Sequence, residues 1–376
     1  MNDHGLPISP RPKHDELISS WLGRTAAHYD LDGEQLRRWL APDGHHHRPD
    51  LGWDHREREH VAARCRLSPP TLHALDLSRA WPRLRADWLP RTDGTARARS
   101  AVDLSWCWKC LEEGHAAGGA YLDREAALPL LFCHRHTTWR QDCCGHCSPR
   151  KSPRFVHGAT VELVCGDCGV PLRRTRSFGP RPPYGERTQE TDEAASVLLA
   201  FDRKVRKAIL GERAHLVGVG DVTSCQLLAV VADLTWVLLA PQRDFFCLMN
   251  TFVCPCLPLI ATYRPWRWDS AVYQELSPLW RAWVLAAIVA VLAPERVSRL
   301  MSGSQGARHP QQNLEWVLQH ADVRMQAMLV HRSARWPSGL RQRIAVHQLA
   351  TGLDTDSWLR RLELARARDD QPIIIA

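Results

Sequence analysis

The stretch from residue 107 to residue 168 contains four closely spaced pairs of donors: Cys107-Trp-Lys-Cys110, Cys133-His-Arg-His136, Cys144-Gly-His-Cys147 and Cys165-Gly-Asp-Cys168. A gap of two residues lets a tight turn direct both donor atoms at one metal ion, and two such turns complete a tetrahedral shell. Zinc is the expected ion, because a closed shell of thiolate and imidazole suits it. The first site is assigned to Cys107, Cys110, Cys133 and His136, and the second, all-thiolate site to Cys144, Cys147, Cys165 and Cys168.

We interpret both zinc ions as structural. A catalytic zinc keeps one coordination position for water, whereas four protein ligands leave none. Three alternatives stay open: Cys143 can replace Cys144, His134 or His146 can serve instead of a neighbour, and the two sites can interleave. The other cysteines lack such pairing, apart from the Cys-x-Cys at 254–256, and are predicted to be core or loop thiols: Cys65, Cys225, Cys247, Cys254 and Cys256.

The metal-ligand region sits between two helical regions, so the predicted fold class is mainly α: a helical N-terminal domain with a helix-turn-helix-like segment, two central zinc ribbons and a helical C-terminal domain. The predicted domains are 1–100, 101–175 (the ribbons), a Pro-rich linker at 176–190, and 191–376. Helical spacing predicts helices at 16–29, 33–40, 55–65, 69–79, 192–212, 221–240, 273–301, 311–333 and 338–366. Residues 101–175 show little helical periodicity apart from 123–131, so metal is expected to replace a missing core there.

Residues 57–79 are typical of a helix, a short turn and a second helix. Apolar side chains recur at core spacing: Val61, Ala62, Cys65, Leu67, Leu72 and Leu75. As a helix-turn-helix, the second helix would offer Thr71, His73 and Arg79 to the major groove; the alternative is an ordinary helical hairpin. A basic stretch further on is a second candidate, for contacts to phosphates, with a solvated linker as its alternative: Arg173, Arg174, Arg176, Arg181 and Arg187.

Composition narrows the function class. The 376 residues carry a net charge of +8, which favours an anionic partner such as nucleic acid. The first twenty residues contain no apolar signal-peptide core, so a cytoplasmic protein is expected. The longest apolar run, residues 282–293, is shorter than the roughly 18 residues that a membrane span needs, so no membrane partner is expected. Tryptophan supplies 16 of the aromatic residues, mainly for core packing.

Motifs of the common enzyme classes are missing from the sequence. It contains no G-x-x-x-x-G-K-[ST] loop, no H-E-x-x-H and no G-x-S-x-G elbow. His14-Asp-Glu16 matches half of a zinc-deaminase motif, but it lies far upstream of Cys107, which lacks the expected preceding proline. The sequence therefore predicts a protein that is not an enzyme.

The opening residues resemble a known family. Pro10-Arg-Pro12 followed by Glu16-Leu-Ile-Ser-Ser20-Trp21-Leu22-Gly-Arg24 is similar to the opening signature of TniQ transposition targeting proteins. Relatives continue with a small helical DNA-binding-like segment, a Cys-x-x-Cys, a Tyr-containing helix and a Cys-x-x-His followed by further Cys pairs. The corresponding residues here are Cys107 to Cys110, Tyr121 to Leu128, Cys133 to His136 and the second ribbon, so the resemblance covers about residues 5–170.

The resemblance implies a non-catalytic adaptor. Such a protein recognises a target, either DNA directly or a guide-RNA effector complex, and recruits the transposon's AAA+ ATPase regulator, which in turn brings the transposase. Some relatives act as dimers, so a homodimer is among the expectations, and the C-terminal helical region would correspond to the variable, target-specific part. The alternative is a stand-alone zinc-containing transcriptional regulator that binds DNA by itself. A metal-dependent nucleic-acid enzyme is a third class.

Overall fold

A computed structural model describes residues 5–41, 49–51, 53–89, 104–147, 153–175, 189–240, 247–252, 254, 256–257, 273–292 and 312–351. The chain divides into two compact units, Met1–Gly179 and Pro180–Ala376. Helices dominate the described residues of both units, which confirms the predicted fold class. The predicted linker at 176–190 lies outside the described residues except at its end, where a helix begins at Gln189.

Short helices make up the first part of the first unit. They are α1 Ile18–Ala27, α2 Gly33–Leu40, α3 His55–Arg64, α4 Pro69–His73 and α5 Leu77–Ala80, with 3-10 turns at Pro49–Leu51 and Ala86–Trp88. The helix α2 begins at a capping box, in which Asp32 accepts from the Gln35 N–H and the Gln35 side chain accepts from the Asp32 N–H. The bounds of α1, α2 and α3 agree with the predicted helices to within two residues.

The helices α1 to α4 enclose one apolar core. Its members include Trp21 and Leu36, together with five of the six residues that the sequence placed at core spacing between residues 61 and 75. The sixth, Leu67, is partly buried and packs against the same core. The helix-turn-helix-like packing is therefore present, because the second helix contributes Leu72 and its C-terminal flank contributes Leu75.

The predicted helix at 69–79 is wrong in one respect, since it is two short helices, α4 and α5. Leu75, Asp76 and Leu77 are all buried at the junction. The backbone of Asp76 is not helical (φ −57°, ψ 126°), and this residue is the N-cap of α5, so α4 does not continue through it. The break separates Arg79, on α5, from Thr71 and His73, on α4.

The middle region contains more regular structure than predicted. A helix, α6 Trp108–Ala116, begins between the first two cysteines, and a 3-10 helix at Arg124–Ala127 stands where a longer helix was expected at 123–131. The Tyr-containing helix expected at Tyr121 to Leu128 is likewise reduced to this one turn. Two antiparallel strands, β1 Pro153–His157 and β2 Val161–Cys165, follow, with Phe155 opposite Leu163.

The expectation that this region lacks a core is also wrong. Its buried apolar side chains are Leu104, Trp106, Leu111, Leu122, Leu128, Leu130, Leu131, Phe132, Leu163 and Leu172. Helical periodicity did not identify these side chains, because most of them lie in irregular segments and β-bridges, where that periodicity does not apply. A bound metal ion would therefore add to an apolar core and not substitute for one.

The second unit consists mainly of longer helices. They are α7 Gln189–Ile209, α8 Ser224–Leu239, α9 Pro278–Leu292, α10 Leu314–His320, α11 Val323–Arg332 and α12 Ser338–Thr351, with 3-10 turns at Leu248–Thr251, Tyr273–Glu275 and Ser333–Arg335. A hairpin of β3 Ala214–Leu216 and β4 Gly220–Val222 precedes α8. The helices predicted at 273–301 and 338–366 extend into residues outside those described, from 293 and from 352 onward.

Three predicted helices of this unit have corrected bounds. The helix predicted at 221–240 starts later, because β4 occupies its first residues and Thr223 caps α8 together with Gln226. The helix predicted at 311–333 is two helices, since Ala321 has an extended backbone. In the helix predicted at 273–301, Pro278 starts α9 after a separate 3-10 turn.

The apolar run at 282–293 lies in α9, where every residue from Arg281 to Leu292 is buried. Such burial on all sides is typical of a central helix of a globular unit. Among the residues that the structure describes, no helix combines the length and the apolar character that crossing a membrane requires.

Candidate metal centres and the adjoining helical segment

The four predicted ligands of the first site converge on one point. We call Cys107, Cys110, Cys133 and His136 the first cluster; their donor atoms all lie within 4.8 Å of one another. The Nδ1 atom of His136 lies 3.5 Å from the Cys107 sulfur, 3.2 Å from that of Cys110 and 3.6 Å from that of Cys133. The sulfurs of Cys110 and Cys133 are 3.6 Å apart.

These distances suit a tetrahedral metal ion. With Zn–S bonds of about 2.3 Å and Zn–N bonds of about 2.0 Å, tetrahedral geometry places two sulfurs about 3.8 Å apart and a sulfur and a nitrogen about 3.5 Å apart. The soft thiolates and one imidazole also match the preference of zinc. The residues present therefore fit a closed, structural zinc site, in which bound zinc would hold two chain segments together.

Local structure explains why the donors meet. Cys107 caps the N-terminus of α6 and Cys110 lies in its first turn, where the helix dipole favours a thiolate. Cys133 and His136 lie in a turn closed by a hydrogen bond from the Thr137 N–H to the Cys133 carbonyl (2.8 Å). The two sides of this turn are held together by a β-bridge and a ring contact between Phe132 and Trp139.

The second cluster consists of Cys144, Cys147, Cys165 and Cys168, whose sulfurs also lie within 4.8 Å of one another. The Cys144 and Cys168 sulfurs are 3.7 Å apart and those of Cys147 and Cys165 are 3.5 Å apart, which again fits a tetrahedral zinc. The turn after β2 is completed by Gly169, which has a φ of 69°. A side chain at this position would be strained, so glycine suits it.

The geometry bears on the alternatives left open by the sequence. Cys144, and not Cys143, belongs to the second cluster, and His136, and not His134, belongs to the first. His146 belongs to neither cluster, and the two sets do not interleave. Of the remaining cysteines, Cys225 is exposed and the other four are buried.

Charged side chains surround the first cluster, and spacing had not identified them. The carboxylate of Glu113, on α6, lies 3.0 Å from the Nε2 atom of His136. A carboxylate on the second ring nitrogen fixes the tautomer that presents Nδ1 to a metal ion. Glu113 follows Cys110 by three residues, on the same face of the helix, and this is the signal that could have found it.

Arg140 is buried beside the first cluster and touches two carboxylates. Its Nη2 atom lies 3.4 Å from Asp123 and 3.1 Å from Glu125, and its Nη1 atom donates to the Ser105 carbonyl (3.1 Å). Burial acts to lower the pKa of Arg140, but the two carboxylates and the nearby thiols outweigh burial and raise it. Arg140 thus places a positive charge among two carboxylates and the thiols of the first cluster.

Backbone hydrogen bonds attach the region of the first cluster to the N-terminal helices. The Leu17 N–H donates to the Leu122 carbonyl (3.0 Å), and the Leu122 N–H donates to the Ser20 hydroxyl (2.9 Å). The guanidinium of Arg124 donates to the carbonyls of His14 (2.9 Å) and Ala74 (2.6 Å). Because Ala74 is the C-cap of α4, Arg124 joins the helix-turn-helix-like segment to the metal-ligand region.

Four side chains of the opening motif have hydrogen-bond partners inside the first unit: Glu16, Ser20, Trp21 and Arg24. Glu16 is fully buried and accepts two bonds from Arg24, both 2.7 Å, and a third from Ser20 (2.9 Å). The Trp21 indole N–H donates to the Pro10 carbonyl (2.9 Å), and Arg24 also donates to the Arg11 carbonyl (3.1 Å). A buried ion pair with all its partners in place fixes the extended Pro-Arg-Pro segment against α1.

Gly23 of the same motif is required by packing. A Cβ atom at this position would lie 2.5 Å from the ring of Phe155 on β1. The strand that precedes half of the second cluster therefore rests directly on the backbone of α1.

Comparison with protein families agrees with this arrangement. Residues 7–139 match the TniQ family model. Over these residues the chain is similar to the TniQ family. No curated protein and no solved structure gave a match.

The TniQ match ends three residues after His136. It includes the opening motif, the helix-turn-helix-like segment and the first cluster, whereas the second cluster lies beyond it. The match is thus shorter than the resemblance expected from the sequence, about residues 5–170, and it leaves the second cluster and the second unit without a family assignment.

Within the TniQ region, the three residues proposed for base contacts lie in different settings. Thr71 is exposed on α4, with its hydroxyl 2.7 Å from that of Ser68. His73, at the end of α4, places Nδ1 2.6 Å from the Nη1 atom of Arg79. Asp76 is buried between them and contacts Arg58 (3.2 Å), and burial raises the pKa of this carboxyl. The structure thus brings His73 and Arg79 together across the break between α4 and α5.

The arginines after the second cluster that were predicted to contact phosphates differ in exposure and in whether their charge is paired. Arg173 contacts Glu162 at 2.8 Å, so its charge is already paired. Arg174 is exposed. Arg176, Arg181 and Arg187 lie outside the described residues. A phosphate-binding role rests, among the described residues, mainly on Arg174.

Proposed function

We propose that this chain is a non-catalytic targeting adaptor in DNA transposition. It recognises a target, either DNA directly or a guide-RNA effector complex, and recruits the AAA+ ATPase regulator of the transposon. It acts in the cytoplasm and holds two structural Zn²⁺ ions, one in each cluster. The observation that carries the proposal is the TniQ match over residues 7–139, which includes the helix-turn-helix-like segment and the first cluster.

Rigid attachment of the helix-turn-helix-like segment supports an adaptor role. Arg124 connects the end of α4 to residues that lie between the ligands of the first cluster. A recognition helix held in this way keeps its orientation when the protein binds a target. The unit that contains it therefore suits a protein that must present a target and a partner in fixed geometry.

Exposed and basic side chains support contact with nucleic acid. Thr71, on α4, and Arg79, on α5, are both exposed in the helix-turn-helix-like segment, and the whole chain carries a net charge of +8. Because Asp76 lies beneath His73 and Arg79, part of this local positive charge is offset. We therefore expect the segment to contact base edges in a groove more than it makes sequence-independent contacts with phosphates.

A capture experiment tests the adaptor role. The immobilised full-length chain is mixed with the AAA+ ATPase encoded nearest to its gene, in the presence of either a non-hydrolysable ATP analogue or ADP. We expect capture with the analogue and little with ADP. No capture, together with a salt-sensitive, sequence-specific DNA complex formed by the chain alone, would instead identify a transcriptional regulator.

A second experiment tests target contact. Arg79→Ala is compared with Arg56→Ala, which removes an exposed arginine from the other helix of the segment. We expect Arg79→Ala to weaken target binding by about five- to fiftyfold and Arg56→Ala to weaken it much less. Equal effects would indicate non-specific attraction and not recognition by the second helix.

Spectroscopy of cobalt-substituted protein tests whether both metal shells are closed. An open coordination position would point to an enzyme.

A further inference from the structure

The second unit contains a pair of buried thiols that the metal clusters do not use. The sulfurs of Cys254 and Cys256 are 3.3 Å apart, and the two residues are 2% and 4% exposed. They share a turn closed by a hydrogen bond from the Leu257 N–H to the Cys254 carbonyl (3.0 Å). The turn thus holds the two thiols on the same side.

The two thiols have different acidities. A hydrogen bond from the Cys256 thiol lowers the pKa of Cys254, and the same contact raises the pKa of Cys256. Cys254 is therefore the one that ionises first. By contrast, Cys247 is seven residues away and equally buried, and burial raises its pKa to about 11.

We propose that Cys254 and Cys256 form a reversible redox site, in which a small neutral peroxide converts the dithiol to an intrachain disulfide. The two sulfurs lie 3.3 Å apart, and forming the disulfide shortens this distance to about 2.05 Å. A small, uncharged oxidant suits a site whose sulfur atoms are almost fully buried, since it need not bring a charge into the interior.

The chemistry balances with hydrogen peroxide as the oxidant. The Cys254 thiolate attacks one peroxide oxygen, the O–O bond breaks, and the departing hydroxide takes a proton to leave as water. Cys254 is now a sulfenic acid. The Cys256 sulfur attacks the Cys254 sulfur, the S–O bond breaks, and a second water leaves with the Cys256 proton. Two thiols are oxidised by two electrons and one peroxide is reduced to two waters.

Location gives the disulfide a structural consequence. The 3-10 turn Leu248–Thr251, just before this pair, packs against α8 and α9. The carbonyl of Thr251 accepts a hydrogen bond from Gln312 (2.7 Å), which lies just before α10. Closing the Cys254–Cys256 ring therefore restrains the chain just after a turn that packs against α8 and α9 and is bonded to the residue Gln312 before α10.

The test uses the full-length, metal-loaded protein. It is treated with increasing concentrations of hydrogen peroxide, denatured, alkylated with N-ethylmaleimide and digested with trypsin. Mass spectrometry then gives the mass of the peptide of residues 244–267. This peptide contains Cys247, Cys254 and Cys256. We expect the number of alkyl groups on it to fall from three to one with peroxide, and to return to three when a reductant precedes alkylation.

Two variants and one internal standard make the test decisive. Cys247→Ser should still lose both of its remaining alkyl groups, whereas Cys254→Ser should keep both. Cys225 is exposed and measures the dose of peroxide. The proposal is overturned if Cys225 is half oxidised while the wild-type peptide still carries three alkyl groups, or if Cys254→Ser loses two.

Discussion

The two metal clusters have the same spacing of ligands but different surroundings. In both, donor atoms lie within 4.8 Å of one another. The first cluster contacts Glu113 and Thr138 and adjoins the buried Arg140. Its region is bonded to the N-terminal helices by backbone and side-chain hydrogen bonds. The strand β1 beside the second cluster meets α1 through packing of Phe155 on Gly23 and a ring contact between His157 and His28.

This difference shows what ligand spacing can and cannot reveal. Spacing identifies donors, because a turn of fixed length directs two donor atoms at one ion. Ligand spacing does not show which neighbouring segments a bound ion would stabilise. The TniQ match includes the first cluster and ends before the second, and the first cluster is also the one whose region is bonded to the helix-turn-helix-like segment.

The largest expected effect is that of Cys110→Ser in the first cluster. Zinc binding of a structural site contributes on the order of 10 kcal/mol, which is comparable to the total stability of a typical domain, about 5–15 kcal/mol. We expect the first unit to unfold and aggregate, while the helices of the second unit persist. Circular dichroism, limited proteolysis and metal content measure this.

The matched variant Cys147→Ser sharpens the comparison. It should release one metal ion and expose β1 and β2 to protease, but leave α1 to α4 and the first cluster folded. The two variants would contradict the comparison if they gave the same proteolytic pattern. They would also contradict it if Cys110→Ser remained soluble and unfolded cooperatively with one metal bound.

Much of the candidate site could be predicted from the sequence, and the reason is local. Each pair of ligands, such as Cys165 and Cys168, depends on a single turn, and regular helices such as α2 depend on spacing and caps. The contacts that join distant segments could not be predicted in the same way. Arg124 reaches Ala74, fifty residues earlier, and no periodicity relates them.

The errors have the same origin. The helix α6 was missed because its short run, which includes Cys107 as its cap, carries little apolar repetition. The helix predicted at 69–79 was too long. Its break lies at the junction where Leu75, Asp76 and Leu77 are all buried, and this burial depends on the tertiary core and not on helical spacing. Asp76 in particular is a polar residue whose burial depends on Arg58.

The packing that joins the second cluster to α1 is tested by Gly23→Ala. The added methyl group would lie 2.5 Å from the Phe155 ring, so the strand must shift. We expect a loss of about 1–3 kcal/mol from overpacking, offset in part by the better helix propensity of alanine. Thermal unfolding of the metal-loaded protein measures it, and Gly158→Ala serves as a control, because a Cβ atom there would make only an ordinary contact, 3.9 Å from the Thr160 carbonyl oxygen. A stabilised Gly23→Ala variant would show that β1 does not rest tightly on α1.

Arg124→Ala tests the connection between the first cluster and α4. Two side-chain hydrogen bonds to backbone carbonyls are lost, at a cost of about 1–2 kcal/mol since the site is partly exposed. Hydrogen exchange should increase in α4 but not in α6, with both metal ions retained. The neighbouring Arg135→Ala, which removes a contact with the exposed side of Glu113, should leave α4 unchanged. Unchanged exchange in α4 with Arg124→Ala would mean that other contacts hold the segment.

The smallest expected effect is that of Glu113→Gln, which alters the support of a ligand and leaves all four ligands in place. The amide can still accept a hydrogen bond from the Nε2–H of His136 but carries no charge, so it favours the metal-binding tautomer less strongly. We expect up to about a tenfold loss of zinc affinity at the first cluster and none at the second. Competition with a chelator resolves the two sites, because only the first should release its ion earlier than in the wild type. Faster release from both clusters would mean that they are coupled, and that the difference between their surroundings has no bearing on how each holds its metal.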